Sequence, residues 1–393
     1  MRIRITLTLI AAGATLAGVT ACSTSGGGSS SVSGGSASSG RGFSSGCNAT
    51  IAFIGPYTGN FAQIGEEQLH FTQYAIDQYN QAHHASIRLV EGDTQLQPAQ
   101  AVTVTQQFIS DPNVVAAVSG GSSQEILAVG PLLSRANMVD ISGSANQDNL
   151  TSSGFTSFFR VVPRSSLQAQ DISAYVLGHL HPKKSVIVDD QSSYSTAITS
   201  QLLAALTAGG VSVDHESVSQ QTTDYSSLVS KIGKDTDLVI LPWQIAANAE
   251  QFAQAMQEQG VTATIFGTDG IFSPSQFNAA GSYVASFAPD ITQIPTDQSL
   301  AGAMEQKYGT FGTYGPPMYA ATEVVLGAIN KLCTAGTPVT RENVLAQVRN
   351  TDDSSSILGQ PIKFMPTGDL VGGRYFIFKI DADKKYTVVS GVS

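Results

Sequence analysis

From residue 50 onward the chain alternates short apolar runs with longer amphipathic stretches. TIAFI (50–54), VVAAV (114–118) and LVIL (238–241) are unbroken apolar runs of strand length, the pattern of strands covered on both faces of a sheet. Residues 87–90, 139–142, 185–188 and 211–213 supply further strands. Helix-length stretches separate them, over 66–81, 98–109, 124–135, 166–180, 194–208 and 246–259. Leu69, Tyr74 and Ile76 are inward candidates of the first helix, and Pro98 opens the second, where its missing N–H does no harm. Repeated strand–helix–strand units predict parallel, doubly wound sheets. The rhythm runs from 50 to 142 and restarts after Arg160, which is too much for one sheet and predicts two lobes. After Pro289 the texture changes to two helices (317–332 and 341–348), followed by strand-like IKF and RYFIFKI. No short-period repeat is visible, which excludes a solenoid.

The N-terminal pattern differs. Arg2 and Arg4 precede an uncharged stretch over 5–21, the arrangement of a secretory signal peptide. A buried N-terminal helix is the alternative, and the polar tract that follows cannot support it. In residues 23–46, 20 of 24 are Gly, Ser or Thr, so the segment is a flexible coil with a mean reach of roughly 27 Å. Val19-Thr20-Ala21-Cys22 resembles a bacterial lipobox, which implies that Cys22 becomes the lipidated N-terminus. The protein is expected at the outer face of the cell membrane, extracytoplasmic and lipid-anchored, with several acyl chains for stable retention.

Charge narrows the function classes. Lys+Arg 20 against Asp+Glu 30 leaves 20 − 30 = −10 over 393 residues. That balance argues against nucleic-acid binding, which needs a basic stripe. Three cysteines are too few for a disulfide scaffold and form no CxxC pair. No GxSxG, HExxH, P-loop or GxGxxG motif appears. His83-His84 and His179-Leu180-His181 lack matching carboxylate or Cys partners. No metal, no cofactor and no enzymatic activity are therefore expected, and a secreted hydrolase lacks its nucleophile–base pair.

Candidate chemistry gathers where strands end. Gly120-Gly121-Ser122-Ser123 closes VVAAV and opens a helix, whose free N–H groups suit carboxylates and phosphates; a plain Ser N-cap is the simpler reading. Ser144, Ala145 and Asn146 follow the next strand at the same sheet edge, where open α/β sheets bind ligands. Asp269, flanked by Gly267 and Gly270, ends a strand of the other lobe. It is either an exposed turn residue or, across a cleft from Ser122 and Ser123, a partner for an ammonium group. Tyr194 and Trp243, the single Trp, also sit just past strand ends, as core or as cleft wall.

IAFIGPYTGNFAQIG, EGDTQLQPAQAVTVTQQFISDPNVVAAVSGGSS and VDISGSANQDNLTSSGFTSFFRVVP, with SVIVDDQSSY, FGTDGIFS and YAATEVVLGAI, resemble the leucine/isoleucine/valine-binding protein family. These are substrate-binding components of bacterial ABC importers for branched-chain and other amino acids. The resemblance covers the chain after Cys47. It implies a type I periplasmic-binding fold, two Rossmann-like lobes joined by three crossovers near Pro163, Pro289 and Gly359. The expected parts are a leader (1–21), a tether (22–46), one lobe from 47–163 plus 290–358, and another from 164–289 plus 359–393. The family pattern places the ligand carboxylate at Ser122, Ser123 and the Ser144, Ala145, Asn146 loop. It places the ammonium at Asp269 and closes Tyr194 over the ligand, with Tyr57, Ile64 and Trp243 as candidate pocket walls. This sequence departs from the family at Asn146, where Thr is frequent, at Ile64, which can be aromatic, and at Ser195, which replaces a Gly. In the resembling fold Cys47 and Cys333 fall in one lobe, so a Cys47–Cys333 bridge is expected in an exported protein. The implied partners are a small ligand, ABC permease subunits and the membrane through the lipid anchor, with the chain itself a monomer. The alternative is a binding or sensor protein for an amide, urea or an aromatic acid.

Overall fold

The computed structural model describes residues 47–391; the leader, the tether and Cys22 lie outside the described residues. The first series is β1 (Asn48–Gly55), α1 (Ala62–His83), β2 (Ser86–Asp93), α2 (Pro98–Ser110), β3 (Val114–Ser119), α3 (Ser123–Arg135), β4 (Val139–Ser142) and β5 (Phe158–Arg160). Its five strands form one parallel sheet in the order β2-β1-β3-β4-β5. All six residues of β3 are buried, as the apolar run requires of a central parallel strand.

The second series is α4 (Ser165–Tyr175), continued by a π turn (Val176–Leu180), then β6 (Lys184–Asp189), α5 (Ser193–Ala208), β7 (Ser212–Ser217), α6 (Ser226–Val229), β8 (Leu238–Leu241), α7 (Ala246–Glu258), β9 (Thr264–Gly267) and β10 (Tyr283–Ser286). The chain then runs through α8 (Gln298–Tyr308), α9 (Gly315–Thr334), α10 (Arg341–Arg349), β11 (Asp352–Asp353), β12 (Ile362–Lys363), β13 (Phe376–Ile380) and β14 (Tyr386–Ser390). A seven-stranded sheet has the order β14-β13-β10-β9-β8-β6-β7. Its last two strands in sequence, β13 and β14, run antiparallel.

Both sheets are wound on two faces. Ile51, Phe53 and Val118 point toward the α1 and α9 core, whereas Ala52, Ile54 and Ala117 point toward α2 and α3. The same alternation splits Ile187 and Ile240 from Val186, Val188 and Val239 in the second sheet. Cys47 and Cys333 are joined in a disulfide with Cα atoms 5.7 Å apart, tying the start of β1 to the end of α9.

Several short or exposed elements, α8, β14 and β10 among them, carry too little periodic signal to be read from the sequence. α8 buries only Ala301 and Met304, β14 is a half-exposed edge, and β10 has four residues. β7 extends through the polar residues Asp214 to Ser217 because an edge strand needs no apolar face. IKF does not join the second sheet. β12 pairs with β11, Phe364 bridges Leu370, and the Arg160 N–H donates to the Gly368 carbonyl at 3.1 Å. The chain therefore stays with the first lobe through Asp369 and reaches the second sheet at Phe376, later than the crossing expected near Gly359.

Candidate ligand-binding site

The carboxyl ends of β3, β4, β6, β8 and β9 converge on one cavity, the place where open α/β sheets receive ligands. Its lining includes Ser122, Ser123, Ser144, Ala145, Asn146, Tyr194 and Asp269. The structure thus brings all seven strand-end candidates to one place. It does not bring Tyr57, Ile64 or Trp243 there. Ile64 packs in the α1 core. Trp243 packs against Tyr225 and Phe252, and its Nε1–H donates to the Val188 carbonyl at 2.7 Å. The Tyr57 backbone N–H is held by Asp93 at 3.1 Å, and its ring tilts against Phe53. Phe61, Gly121, Gln244, Gly270 and Tyr314 line the cavity in their stead.

On the first lobe the wall is made of local polar contacts. Gly120 allows the turn from β3 into α3, since a Cβ there would stand 2.3 Å from Gln68 Oε1. Ser122 caps α3, and its N–H and hydroxyl donate to Glu125 Oε2 at 2.7 and 2.8 Å. This is a capping box, which adds Glu125 to the plain Ser N-cap. The Ser122 proton is therefore committed. Ser123 Oγ accepts the Gln147 N–H at 3.3 Å, which leaves its own proton to donate. The N–H groups of Ser123 and Gln124 open the helix and have no intrahelical acceptor. Ser142 Oγ accepts from the N–H groups of Ser144 and Ala145 at 3.3 and 3.0 Å, and Ser144 Oγ donates to the Gly121 carbonyl at 3.1 Å. Behind the loop, buried Arg160 pairs with Asp369 at 2.6 Å and donates to the Gln147 carbonyl at 2.7 Å.

The second lobe presents Asp269. Gly270 lets this turn sit against the β8 loop, because a Cβ there would meet the Trp243 carbonyl at 2.1 Å. The Asp269 side chain is buried, and burial pushes its pKa up to about 6 against the opposing hydrogen bonds of Tyr194, Gln168 and Asn146. The Tyr194 hydroxyl donates to Asp269 Oδ1 at 2.9 Å, and Asn146 Nδ2 donates to the same oxygen at 3.1 Å. The Tyr314 hydroxyl donates to the Asp269 carbonyl at 2.8 Å. Tyr314 is itself positioned by Glu67, whose carboxylate accepts the N–H groups of Gly312, Tyr314 and Gly315 at the start of α9. No Lys, Arg or His lines the cavity among the described residues. Asp269 is thus a buried carboxylate with hydrogen-bond donors but no cation, facing a helix N-terminus.

Tyr314 precedes α9 in a loop without periodic signal, so the sequence reading had no handle on it. Gln244 follows Trp243 at the end of LVIL. The strand-end rule selects that place, and Trp243 beside it turns into the core instead.

The family model described as periplasmic binding protein matches residues 48–385, and the chain belongs to this family. The Leu/Ile/Val-binding protein BraC3 of Rhizobium johnstonii is 26% identical over 346 residues, covering 85% of this chain and 92% of that one. The branched-chain amino acid transporter substrate-binding protein LivJ of Streptococcus pneumoniae, solved with isoleucine, superposes with a TM-score of 0.78 at 23% identity, covering 87% and 99%. A solute-binding protein of an ABC transporter from Rhodopseudomonas palustris, solved with 3,4-dihydroxybenzoic acid, gives 0.73 at 19% identity over 86% and 95%. These likenesses place the chain in the type I periplasmic-binding fold.

Proposed function

We propose that this periplasmic binding protein is the extracytoplasmic substrate-binding subunit of an ABC importer, which captures an amino acid between its lobes and delivers it to a membrane permease. One observation carries the reading: Asp269, a buried carboxylate without a cation, faces the N-terminus of α3 across the cavity. A zwitterion supplies both missing partners. Its ammonium meets Asp269. Its carboxylate meets the Ser123 hydroxyl and the α3 amides, beside the loop of Ser144, Ala145 and Asn146, with Ser122 holding the helix start in place. Desolvating both ligand charges requires such partners in advance. The ligand contacts are complete only when the lobes are closed, so binding favours closure. Tyr194 closes over the ligand from the second lobe. The names of relatives such as BraC3 support the amino-acid class.

The lipobox-like Cys22 and the Gly/Ser-rich sequence after it support a lipid anchor at the outer face of the membrane. Cys22→Ala is expected to release the protein or to block its processing, and equal membrane retention of the variant refutes the anchor. A melting-temperature screen against amino acids, small amides and aromatic acids tests the ligand class. A ligand at 100 times its Kd adds about 2.7 kcal/mol of stability, a shift of a few degrees. The second reading, a binding or sensor protein for a non-amino-acid ligand, draws on the neighbour solved with 3,4-dihydroxybenzoic acid. Stabilisation by aromatic acids or neutral amides alone selects it.

A further inference from the structure

Resting on the amino-acid reading, we infer that the site selects an amino acid with an uncharged side chain that presents a carbonyl or hydroxyl oxygen, with Gln244 as the specificity-determining residue. Gln244 is 6% exposed and lines the cavity. Its backbone N–H donates to Asp190 Oδ2 at 2.9 Å, which fixes its position at the end of β8. The orientation of its amide follows from its neighbours. Gln220 Nε2 donates to Asp190 Oδ2 at 3.0 Å and to Gln244 Oε1 at 3.0 Å. Asp190 also accepts the Ser192 and Gln244 N–H groups, so the Gln220 end facing it is the NH2 end. The Gln244 end facing Gln220 is then the oxygen. That oxygen also accepts from Gln124 Nε2 of the first lobe at 3.1 Å, which fills both of its lone pairs.

Gln244 Nε2 therefore points away from Gln220, with two hydrogens. Its one contact is a 3.4 Å approach to Gln124 Oε1, at the long edge of hydrogen bonding. One N–H remains for the ligand in a place that closure shields from water, where an unmet donor is unfavourable. A ligand oxygen meets it and a methyl group does not.

No Leu, Ile, Val or Met lines the cavity among the described residues, so no branched aliphatic side chain stands ready to pack against one on the ligand. An acidic side chain or an aromatic acid meets no cation, and Asp190 stands behind Gln244. A site that hydrogen-bonds a ligand group discriminates strongly against analogues lacking it.

Calorimetric titration of wild type and Gln244→Leu against serine, threonine, asparagine, glutamine, leucine, isoleucine and valine tests the assignment. In wild type the best polar ligand is expected to bind at least tenfold tighter than any of the three aliphatic ones. In Gln244→Leu that ratio is expected to fall at least tenfold. An aliphatic ligand that binds wild type as tightly as the best polar one overturns the inference and leaves the amino-acid reading standing, as does an unchanged ratio in the variant. If Gln244→Leu fails to fold, the wild-type ratios decide alone. If no amino acid binds while neutral amides or 3,4-dihydroxybenzoic acid do, the amino-acid reading and this inference fall together.

Discussion

The two walls of the cleft answer the same demand by opposite means. The first-lobe wall spreads its polarity over many small dipoles: helix amides, serine hydroxyls and a loop whose own N–H groups are tied to Ser142. The carboxylate on its helix, Glu125, is engaged in capping Ser122. The second-lobe wall concentrates its polarity in one charge, Asp269, supported by Tyr194 and by Asn146 from across the cleft. A wall of many dipoles loses little with any one of them, whereas a wall of one charge loses its function with that charge. The scaffold behind each wall differs as well. Arg160 and Asp369, a buried ion pair, lock the first, while close backbone contact at Gly270 sets the second.

The largest expected effect comes from breaking the lock of the first wall. Asp369→Asn leaves the buried Arg160 guanidinium without its paired carboxylate, although the Asp148 charge nearby and the bonds to the Gln147 carbonyl and the Thr151 hydroxyl remain. Loss of one partner of a buried pair typically costs about 3–5 kcal/mol. Denaturant unfolding of the variant checks this, and unchanged stability shows that the loop holds without the pair.

The second wall breaks at Asp269. Asp269→Asn keeps the shape and removes the countercharge, so amino-acid binding is expected to weaken by about 2–5 kcal/mol, roughly 30- to 4,000-fold in Kd. Calorimetry with the best ligand reads it. Equal affinity in the variant ends the zwitterion model.

Acidity sharpens the same contrast. Burial raises Asp269 to about 6, above the ordinary aspartate value in an unfolded chain. Between those values the folded state holds more protons than the unfolded one, so stability falls as pH rises through the window. The share of Asp269 in unliganded protein is about 1 kcal/mol more stability at pH 5 than at pH 7. Asp140 adds a second share, since burial raises it to about 7 against the Ser119 hydrogen bond. Ligand binding runs the other way, because the ammonium needs the ionised carboxylate, and affinity is expected to drop as pH falls below about 6. Melting curves at both pH values for wild type and Asp269→Asn separate the shares. A variant that keeps the whole pH difference shows that Asp269 does not titrate there.

Legibility followed the physics of each element. Strands buried on both faces, such as VVAAV and LVIL, announce themselves because every position must be apolar. The strand-end positions of the site are read with them, since topology places Ser122 and Asn146 past strand ends of the first sheet and Tyr194 and Asp269 past those of the second. β14 and α8 stayed hidden because they bury little. Tyr314 and Gln244 were missed for a different reason. Their roles depend on partners far along the chain, Glu67 for one and Asp190, Gln220 and Gln124 for the other. Trp243 also sits just past a strand end, as core or as cleft wall, and its ring packs on the core against Tyr225 and Phe252.

The smallest expected effect tests whether the first wall truly shares its load. Ser123 Oγ accepts the Gln147 N–H and has one proton to offer a carboxylate, while the Ser123 and Gln124 N–H groups and the positive end of α3 are untouched by a side-chain change. Ser123→Ala therefore removes one donor among several and leaves the Gln147 N–H without its serine acceptor. A single hydrogen bond to a charged group contributes about 1.5–3 kcal/mol when nothing replaces it. With the helix amides still in place the loss is expected below that range, about 1 kcal/mol or a five-fold rise in Kd. Calorimetry of Ser123→Ala beside Asp269→Asn sets the two walls on one scale. If the serine variant loses as much affinity as the aspartate variant, the first wall also rests on a single group and the contrast between the walls fails.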